Sequence, residues 1–367
     1  MVQGTDVFVI GGGPAGLAAA LAARKKGFKA IVADVARPPI DKACGEGLMP
    51  DGLAALRDLG VAVDASEGFP FRGVRFLQEG TAVDANFPAR HGMGLRRSVL
   101  HQKMVEQARD AGVSFLWQTP VAGLCPEGVV VGGTVITARW IVGADGMRSQ
   151  VRKWAELDTP AHKGIRFAFR RHYHVRPWSE YMEIYWGRDT QAYVTPVGKQ
   201  EVCAVLISRL PGRRLASLGA EFPQLAERLG PAAGGVERGA ITVVRQLDQV
   251  YREQVALIGD ASGSVDAVTG EGLSLSFHQA AALADALAAG DLRHYQKAHR
   301  RLARRPAMTG RLMLLLAGHE GLRERAMHAL ASDAGIFARL LAVHVGATSP
   351  VHLATTGVLL GWRLVTA

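Results

Sequence analysis

Runs of apolar residues and a stretch with helical composition alternate in the first part of the chain. Residues 7–10 are four consecutive apolar residues, which predict a buried strand. An alanine-rich stretch at residues 14–26 predicts a helix that ends at Gly27, a typical helix C-cap. A second apolar run at residues 30–33 ends at Asp34. The order strand, helix, strand predicts a βαβ unit with parallel strands.

Further along the chain, the pattern becomes strand-like and then helical. Four short elements are predicted first, with helices at residues 50–59 and 98–111 and strands at residues 73–77 and 82–87. Between residues 162 and 245, aromatic and polar residues alternate, which predicts a sheet interrupted by a helix at residues 215–229. After Asp260 the chain is predicted to be almost wholly helical to its end.

Three glycines between the first strand and the first helix have the spacing G-x-G-x-x-G. Gly11 permits a tight turn, Gly13 lets the backbone approach a pyrophosphate, and Gly16 lets the helix pack closely on the strand. Asp34 can accept hydrogen bonds from an adenosine ribose and disfavours a 2′-phosphate. The alternative is a chance glycine turn, since 43 of the 367 residues are glycine. Because strand, helix and acid are in register, the pattern favours a dinucleotide site.

Composition and charge indicate a globular protein and argue against a disulfide-rich or nucleic-acid-binding one. Hydrophobic residues make up 48% of the chain, and the mean hydropathy is +0.09, so a sizeable core is expected. Cys44, Cys125 and Cys203 are too few and too scattered for a disulfide framework or a metal site, and the chain is expected to be cytoplasmic with no signal peptide. The net charge of +10 is expected to reflect a generally basic surface, because no nucleic-acid-binding motif accompanies it.

Three further motifs occur in an order that is typical of one family. Asp145-Gly146 and Gly259-Asp260 each follow an apolar strand, and Arg97 stands at the head of a predicted helix. On these motifs and the glycine pattern, roughly residues 4–300 resemble the FAD-dependent monooxygenase superfamily typified by p-hydroxybenzoate hydroxylase. Within it, the chain looks most similar to the branch that holds geranylgeranyl reductases and flavin-dependent halogenases.

The resemblance implies a bound FAD and assigns contacts to it. Asp145 would border both cofactor sites, Asp260 would hold the ribityl chain, and Arg97 would lie near the pyrophosphate. Ordinary alternatives are a turn at Asp145, a helix N-cap at Asp260, and Arg96 in place of Arg97. The predicted cofactor-binding residues are Gly11, Gly13, Pro14, Ala15, Gly16, Asp34, Cys44, Gly45, Arg97, Asp145, Gly259, Asp260, Gly270, Gly272 and Leu273.

Two glycine-containing segments resemble the reductase and halogenase branch in particular. The stretch containing Cys44 and Glu46 is implied to lie against the isoalloxazine ring, where either side chain would handle protons or electrons. For Cys44 the alternative is a small buried residue without chemistry. Gly270 and Gly272 precede a long helix, whose N-terminus would stabilise the negative charge of a reduced flavin.

The resemblance also implies an α/β fold in three parts. These are a Rossmann-type FAD-binding domain of the GR2-like kind, an inserted and mostly β substrate domain, and a C-terminal helical segment. The expected boundaries are residues 1–70, 95–158 and 240–300 for the FAD-binding domain, 71–94 and 159–239 for the substrate domain, and 301–367 for the helical segment.

The sheet region and the C-terminus suggest the substrate side. Tyr193 and Pro196 would help to line and close an apolar cavity over the flavin, the alternative being an ordinary sheet core. Residues 166–176 form a basic strand that would meet NAD(P)H phosphates or an acidic substrate, although a solvated strand face is favoured. Residues 340–362 lack Asp, Glu, Lys and Arg but are interrupted by Pro350, so no membrane-spanning helix is expected. The C-terminal segment would cap the pocket, form a dimer face or touch a membrane surface, in a monomer or a homodimer.

These expectations define an FAD-dependent oxidoreductase without a metal site. NAD(P)H would bind only transiently as reductant, because the chain has no second dinucleotide fingerprint. Hydroxylation of a hydrophobic aromatic or polyketide-like substrate is placed slightly ahead of reduction of a prenyl C=C bond. Halogenation and a non-catalytic role as a binding or maturation partner are the remaining alternatives.

Overall fold

A computed structural model describes residues 4–159, 164–231 and 233–348 of the chain. Within these residues the strands, in chain order, are β1 (Thr5–Ile10), β2 (Ala30–Asp34), β3 (Gly47–Leu48), β4 (Phe69–Phe71), β5 (Gly73–Gln78), β6 (Thr81–Asn86), β7 (Gly92–Gly94), β8 (Ser114–Trp117), β9 (Val121–Cys125), β10 (Gly128–Val131), β11 (Thr134–Gly143), β12 (Arg166–Tyr173), β13 (Tyr181–Trp186), β14 (Thr190–Gly198), β15 (Glu201–Ser208), β16 (Ala233–Thr242), β17 (Tyr251–Arg252) and β18 (Val255–Leu257). The α-helices are α1 (Pro14–Lys25), α2 (Pro50–Asp58), α3 (Arg97–Asp110), α4 (Gln150–Trp154), α5 (Pro223–Leu229), α6 (Gly272–Ala289), α7 (Leu292–Gly318), α8 (Glu320–Ser332) and α9 (Ala334–His344). Short 3-10 helices lie at Leu215–Ala220, Gly259–Ser262 and Ala267–Thr269.

The first sheet is built around β1. Its strand order is β17-β18-β11-β1-β2-β8, and β1 pairs in parallel with both β2 and β11. Val7, Phe8 and Val9 are fully buried, because a central parallel strand is covered on both faces. The strand β8 also runs parallel to β2, and β18 runs parallel to β11 but antiparallel to β17. The carboxyl ends of these parallel strands therefore meet at one edge of the sheet, where ligands of such sheets bind.

The second sheet has the order β16-β12-β15-β14-β13-β5-β6 and is antiparallel except where β5 meets β13. One face packs against α7, α8 and α9, and the other face packs against the 3-10 helix at Leu215–Ala220 and α5. A small third sheet, β3-β7-β4, lies in contact with β14. The chain thus returns to the second sheet from two separate segments, as the predicted insertion requires.

Helices cover the first sheet. The alanine-rich α1 packs against α3 and α6, and α6 packs in turn against α2 and α7. Small side chains allow this close approach: Ala18, Ala20 and Ala280 are completely buried. The predicted α/β architecture is confirmed.

Several predicted bounds differ from the structure. The helix predicted at residues 215–229 is a 3-10 helix followed by α5, because Pro223 has no amide hydrogen to continue a helix and instead begins the next one. β4 and β16 cross the expected domain boundaries, and α7 begins at Leu292 rather than after residue 300. The division into three domains stays a proposal. Most of the apolar stretch at 340–362 lies outside the described residues.

Among the described helices, none is by itself long and apolar enough to cross a bilayer. The consecutive helices α8 and α9 meet the length and hydropathy requirement together, but they are bent by 106° at their junction.

Candidate active site

The helices α1 and α6, which pack against each other, both begin with bare glycine backbone. We call the open space beside their N-termini the cleft. Gly13 precedes α1 and Gly272 begins α6, and neither helix has a side chain that caps its N-terminus. A methyl group added at either glycine, or at Gly45, would meet no atom within 4 Å. Uncapped helix N-termini offer amide hydrogens and positive dipole ends to an anion. The open space beside these glycines can therefore take a large anionic group.

The glycine motif and the two aspartate motifs meet at close range. A Cβ on Gly11 would lie 2.3 Å from the carbonyl oxygen of Ala144, and one on Gly16 would lie 1.9 Å from the carbonyl oxygen of Gly11. Gly259, with φ +60°, approaches Ala15 to 2.7 Å on the same test. Glycine is required at each contact because no side chain fits. Three segments that are distant in sequence are thereby held at one edge of the first sheet.

Two of the carboxylates that are predicted to bind FAD already accept hydrogen bonds from backbone amides. Asp34 accepts hydrogen bonds from the amides of Gly12 and Ala36, both at 2.7 Å. Asp145 Oδ2 accepts from the amide of Gln150 at 2.6 Å, while its Oδ1 is buried without a partner among the described residues. Each group keeps an acceptor position for a ligand hydroxyl or for water.

Asp260 differs from both, because its carboxylate is open to the cleft. Its side chain is exposed, yet the surrounding protein removes enough water to raise its pKa, and the charges of Arg97 and Lys42 oppose that rise. A group that is both accessible and poorly solvated lies on the wall of a deep cleft. The Arg97 Nε atom is buried without a hydrogen-bond partner in the described part of the chain. One carboxylate and two cations therefore face the same space.

Arg152 joins the two aspartate motifs. Its guanidinium donates to the carbonyl oxygens of Met147 at 2.9 Å and Ala261 at 3.1 Å, and its Nε donates to Asp158 at 2.7 Å. The side chain is buried. It therefore fixes the segment after Gly146 against the segment after Asp260.

The loop between β2 and α2 is locked by the Glu46 side chain. Glu46 is buried and has φ +58°, a left-handed conformation that is strained for a residue with a side chain. Its Oε1 accepts from the amide of Arg97 at 3.0 Å, and its Oε2 lies 2.7 Å from His172 Nε2. The neighbouring Gly45 carbonyl accepts from the Thr195 hydroxyl at 2.7 Å. These contacts hold Gly45 against the open cleft.

The hydrogen bonds around His172 define its tautomer. Arg96 and Arg170 both direct N–H groups at Nδ1, at 3.3 and 3.1 Å, so Nδ1 is a hydrogen-bond acceptor. Nε2 is therefore protonated and donates the hydrogen bond that Glu46 accepts. Arg170 also pairs with Asp41. Glu46, His172 and Cys203 lie close enough together to suggest a metal site. A protonated Nε2 and two adjacent guanidinium groups instead favour a hydrogen-bonded lock.

The basic strand at residues 166–176 was expected to be a solvated face. That expectation is wrong for the side chains that point into the protein. Arg166, Arg170 and His172 are buried on one side of β12. Arg166 pairs with Asp266 at 2.9 Å, and Asp266 accepts from the amide of Val268 at 2.9 Å. The strand therefore fixes the turn that precedes α6. His174 and Arg176 are exposed as expected.

The four predicted catalytic residues fall into different places. Cys44 is half-buried beside Gly45, and its sulfur accepts from the Glu46 amide at 3.4 Å. Tyr193 is buried with its hydroxyl 3.4 Å from the Val268 carbonyl, and burial raises its pKa strongly. Pro196 is buried, and strand alternation places its ring on the opposite face of β14 from Tyr193 and from Thr195. Its carbonyl oxygen lies against Gly94 of β7, the strand that pairs with β3, and the predicted role of Pro196 in closing a cavity stays a prediction.

A second charge cluster, in which Glu271 is buried and its partners are half-buried, lies at the start of α6. Glu271 is 3.3 Å from Arg305 and 3.4 Å from His344, and Arg305 also pairs with Asp51 at 2.8 Å. Burial raises the pKa of Glu271 to about 8 and lowers that of His344 to about 4. Gly270 adopts φ +66° immediately before this group, and Leu273 follows it in the first turn of α6.

Comparison with known proteins explains this arrangement. Residues 4–205, more than half of the chain, match the protein family described as FAD binding domain. The chain belongs to the FAD binding domain family. The protein is an FAD-dependent oxidoreductase, as the sequence predicts.

The relatives of this flavoprotein include reductases and a monooxygenase. Menaquinone reductase of Mycobacterium tuberculosis is 27% identical over 316 residues, covering 78% of this chain and 77% of the relative. Digeranylgeranylglycerophospholipid reductase of Methanothrix thermoacetophila is 29% identical, with coverage of 78% and 79%. The 6-methylpretetramide 4-monooxygenase of Streptomyces rimosus is 28% identical, with coverage of 78% and 76%. The crystal structure of a flavoprotein/dehydrogenase from Cytophaga hutchinsonii has the same fold, with a TM-score of 0.81, 20% identity and 93% coverage of both chains.

The cleft of this flavoprotein fits FAD. The bare N-terminus of α1 and the cations Arg97 and Lys42 would hold the pyrophosphate, and the open carboxylate of Asp260 would accept from ribityl hydroxyls. Gly45 and Gly272 leave space for a flat ring system. We propose Asp34 and Asp145 as further contacts.

Three residues that shape the cleft of this flavoprotein were not among its predicted cofactor contacts, although His172 belongs to the predicted basic strand. His101 is completely buried, and its Nε2 donates to the Gly12 carbonyl at 2.8 Å. It lies on the apolar face of α3, and a histidine on such a face is a detectable signal. Lys42 and His172 gave no such signal, because their roles depend on residues far away in the chain.

Proposed function

We propose that this flavoprotein saturates a C=C bond in a long apolar chain, such as the prenyl chain of a membrane lipid. The observation that carries the proposal is the apolar cluster between the second sheet and the C-terminal helices. Its members include four buried methionines, Met49, Met182, Met313 and Met327. Methionine side chains are flexible and can repack around irregular apolar ligands. The two reductases named above act on substrates of this kind, which supports the proposal.

Saturation of a C=C bond needs an electron pair and two hydrogens. FAD, when bound and reduced, supplies the electron pair together with one hydrogen. The second hydrogen must come as a proton from a side chain close to the ring. Cys44 beside the open Gly45 is the candidate donor, and Tyr193, which its raised pKa keeps protonated, is the reserve. The surrounding apolar side chains exclude water from the reacting bond.

We further propose NAD(P)H as the transient reductant. A groove of about 800 Å³ lies between α4 and the β12–β16 edge of the second sheet. Arg148, Lys153 and Arg245 give it positive charge, and Phe167 and Phe169 give it flat apolar surface. Cations and aromatic faces suit the phosphates and rings of a dinucleotide.

Hydroxylation of a lipophilic aromatic compound is the second candidate. The similarity to a monooxygenase from Streptomyces rimosus favours it, and so does the dry apolar site, since oxygenation also requires water to be excluded. Reduction is nevertheless placed ahead of hydroxylation here, because the apolar cluster suits a long chain and two of the relatives named above are reductases.

Anaerobic and aerobic turnover separate the two candidates. The FAD-loaded enzyme is incubated with NADPH or NADH and menaquinone in detergent, without O2, and the product is analysed by mass spectrometry. We expect a product that keeps two added hydrogens after reoxidation in air, because reoxidation reverses reduction of the quinone ring but not saturation of a C=C bond. Replacing Cys44→Ala should lower this turnover by about 100-fold while leaving NAD(P)H-dependent FAD reduction intact. The control is Cys125→Ala, on a strand remote from the loop. Incorporation of ¹⁸O into an alkylphenol from ¹⁸O2, with no anaerobic product, would favour hydroxylation and reject reduction.

A further inference from the structure

Among the elements that the structure describes, helix α7 contains the largest number of Lys and Arg residues. Its 27 residues contain no Asp or Glu. Its seven basic residues are Arg293, Lys297, Arg300, Arg301, Arg304, Arg305 and Arg311. The whole chain has a net charge of +10, so this one helix concentrates a large part of the excess.

Basic and apolar side chains share one exposed side of this helix. At about 100° per residue, the members of this side fall within a sector of about 100°. They are Lys297, Arg301, Arg304, Met308, Arg311, Leu312 and Leu315, all of them exposed. We call this set the α7 outer face. Met308, Leu312 and Leu315 are 39%, 38% and 46% exposed, which is unusual for three large apolar residues on one helical stripe. Within the described residues, Arg301, Arg304 and Arg311 have no acidic partner within 4.0 Å.

We propose that the α7 outer face docks on an anionic membrane surface. Unpaired arginines would bind lipid phosphates, and the three apolar side chains would enter the boundary between headgroups and acyl chains. Charge complementarity selects this partner. A second copy of the chain would bring the same arginines face to face, and residues 349–367 contain no Asp or Glu to neutralise them. Nucleic acid would be expected to meet aromatic side chains, and this face contains none.

The opposite side of α7 connects this surface to the active site. Pro306, Gly310 and Met313 are buried, and a Cβ on Gly310 would lie 3.5 Å from the Thr269 methyl in the turn before α6. A helix with its side chains is about 10 Å across, so a docked bilayer would lie about one helix diameter from that turn. This part of the inference rests on the proposed function: a lipid substrate would reach the site without crossing bulk water.

Vesicle binding of the FAD-loaded enzyme tests the docking face. We expect cosedimentation with vesicles of phosphatidylcholine and phosphatidylglycerol in equal parts, weakened by added salt, and little binding to phosphatidylcholine alone. The charge variant combines Arg301→Gln, Arg304→Gln and Arg311→Gln. It should lower the affinity for anionic vesicles on the order of a hundredfold. The apolar variant combines Leu312→Ser with Leu315→Ser and should lower binding even at low salt.

The matched control removes three exposed arginines elsewhere, Arg57→Gln, Arg90→Gln and Arg109→Gln. Equal losses in the control and charge variants would show a diffuse electrostatic effect and overturn the proposal, as would absence of binding by the unmodified enzyme. So would a dimer that the apolar variant dissociates, because the face would then belong to a second copy. Turnover of detergent-solubilised menaquinone should be unchanged in all variants. Docking without turnover would reject the proposed function alone, and turnover without docking would reject the docking face alone.

Discussion

A single carboxylate, Asp260, shows how the cleft is prepared for its cofactor. The protein around it removes water and raises its pKa, so an ionised Asp260 destabilises the fold while no donor is bound. Ribityl hydroxyls are donors, and they would give the carboxylate the hydrogen bonds that the protein withholds. Affinity for FAD and stability of the FAD-free protein are therefore opposed at this residue.

Replacing Asp260→Asn should separate the two effects. Loss of a charge-assisted hydrogen bond, about 1.5–3 kcal/mol, should weaken FAD binding by about tenfold to a hundredfold. The FAD-free variant should unfold at a higher temperature than the FAD-free parent, because a poorly solvated charge is gone. Flavin fluorescence titration and calorimetry measure the two quantities. Asp285→Asn, a surface residue paired only with Lys26, is the control. An unchanged dissociation constant for FAD would show that Asp260 does not bind it.

At the scale of elements, the loop at residues 44–48 is held by contacts that keep Glu46 in a strained backbone conformation. The carboxylate of Glu46 reaches the amide of Arg97 and the ring of His172 only because its backbone has a left-handed conformation. The loop is thereby tied to α3 and to β12 at once. A side chain is kept where glycine would be more relaxed, because these contacts outweigh the strain.

Two substitutions at Glu46 isolate that strain. Glu46→Ala and Glu46→Gly both lose the carboxylate, so both should be less stable than the parent by about 2 kcal/mol or more. Between them, the glycine variant should be the more stable by about 1 kcal/mol, since alanine is strained at φ +58°. The order should reverse at Glu106 on the exposed side of α3, where alanine favours the helix. Urea unfolding gives the comparison; equal stability of both Glu46 variants would mean that the backbone there is unstrained.

Local patterns were sufficient for the elements and for part of the cleft. Gly11, Gly16 and Asp34 are close in sequence, so their spacing alone predicts the turn, the close helix contact and the acid that borders it. The partners of Glu46 were not predictable in this way, because His172 is 126 residues away and reaches it only through the pairing of β12 in another sheet. The single helix predicted at residues 215–229 is divided in the structure, because Pro223 breaks it and begins a new helix.

At the scale of the whole molecule, a cluster of buried and half-buried charges joins the C-terminal helices to the cofactor side. Asp51 is the second residue of α2, Glu271 precedes α6, Arg305 lies on α7 and His344 ends α9. Each contacts at least one of the others. Apolar packing holds α7 to α9 against the second sheet, and this cluster is where they meet the helix that begins at the cleft.

The cluster should make stability depend on pH. Glu271 has a pKa of about 8 in the folded protein against an ordinary value of 4.5, so the unfolded chain ionises first and the free energy of unfolding falls between those values as pH rises. His344, at about 4 against 6.5, lowers stability instead as pH falls through that range. Glu271→Gln should remove the first loss, up to ~1.4 kcal/mol per pH unit. Denaturant unfolding from about pH 5 to pH 8 measures it, with exposed Glu324→Gln as control. Parallel pH curves for the parent and Glu271→Gln would contradict the assignment.

The first sheet combines strands from distant parts of the chain, so it cannot be completed until late in synthesis on the ribosome. β1 is among the first residues synthesised, but β18, which completes the parallel sheet beside β11, begins at Val255, and α6 begins later still. At roughly 5–20 residues per second, synthesis between them takes on the order of 10 to 50 seconds. During that interval the edge of β11 at Ile141–Gly143 lacks its partner and is open to chaperones or to pairing with other chains. The N-terminus of α6, which would face the flavin, is synthesised later still, so the proposed FAD site is complete only after this interval.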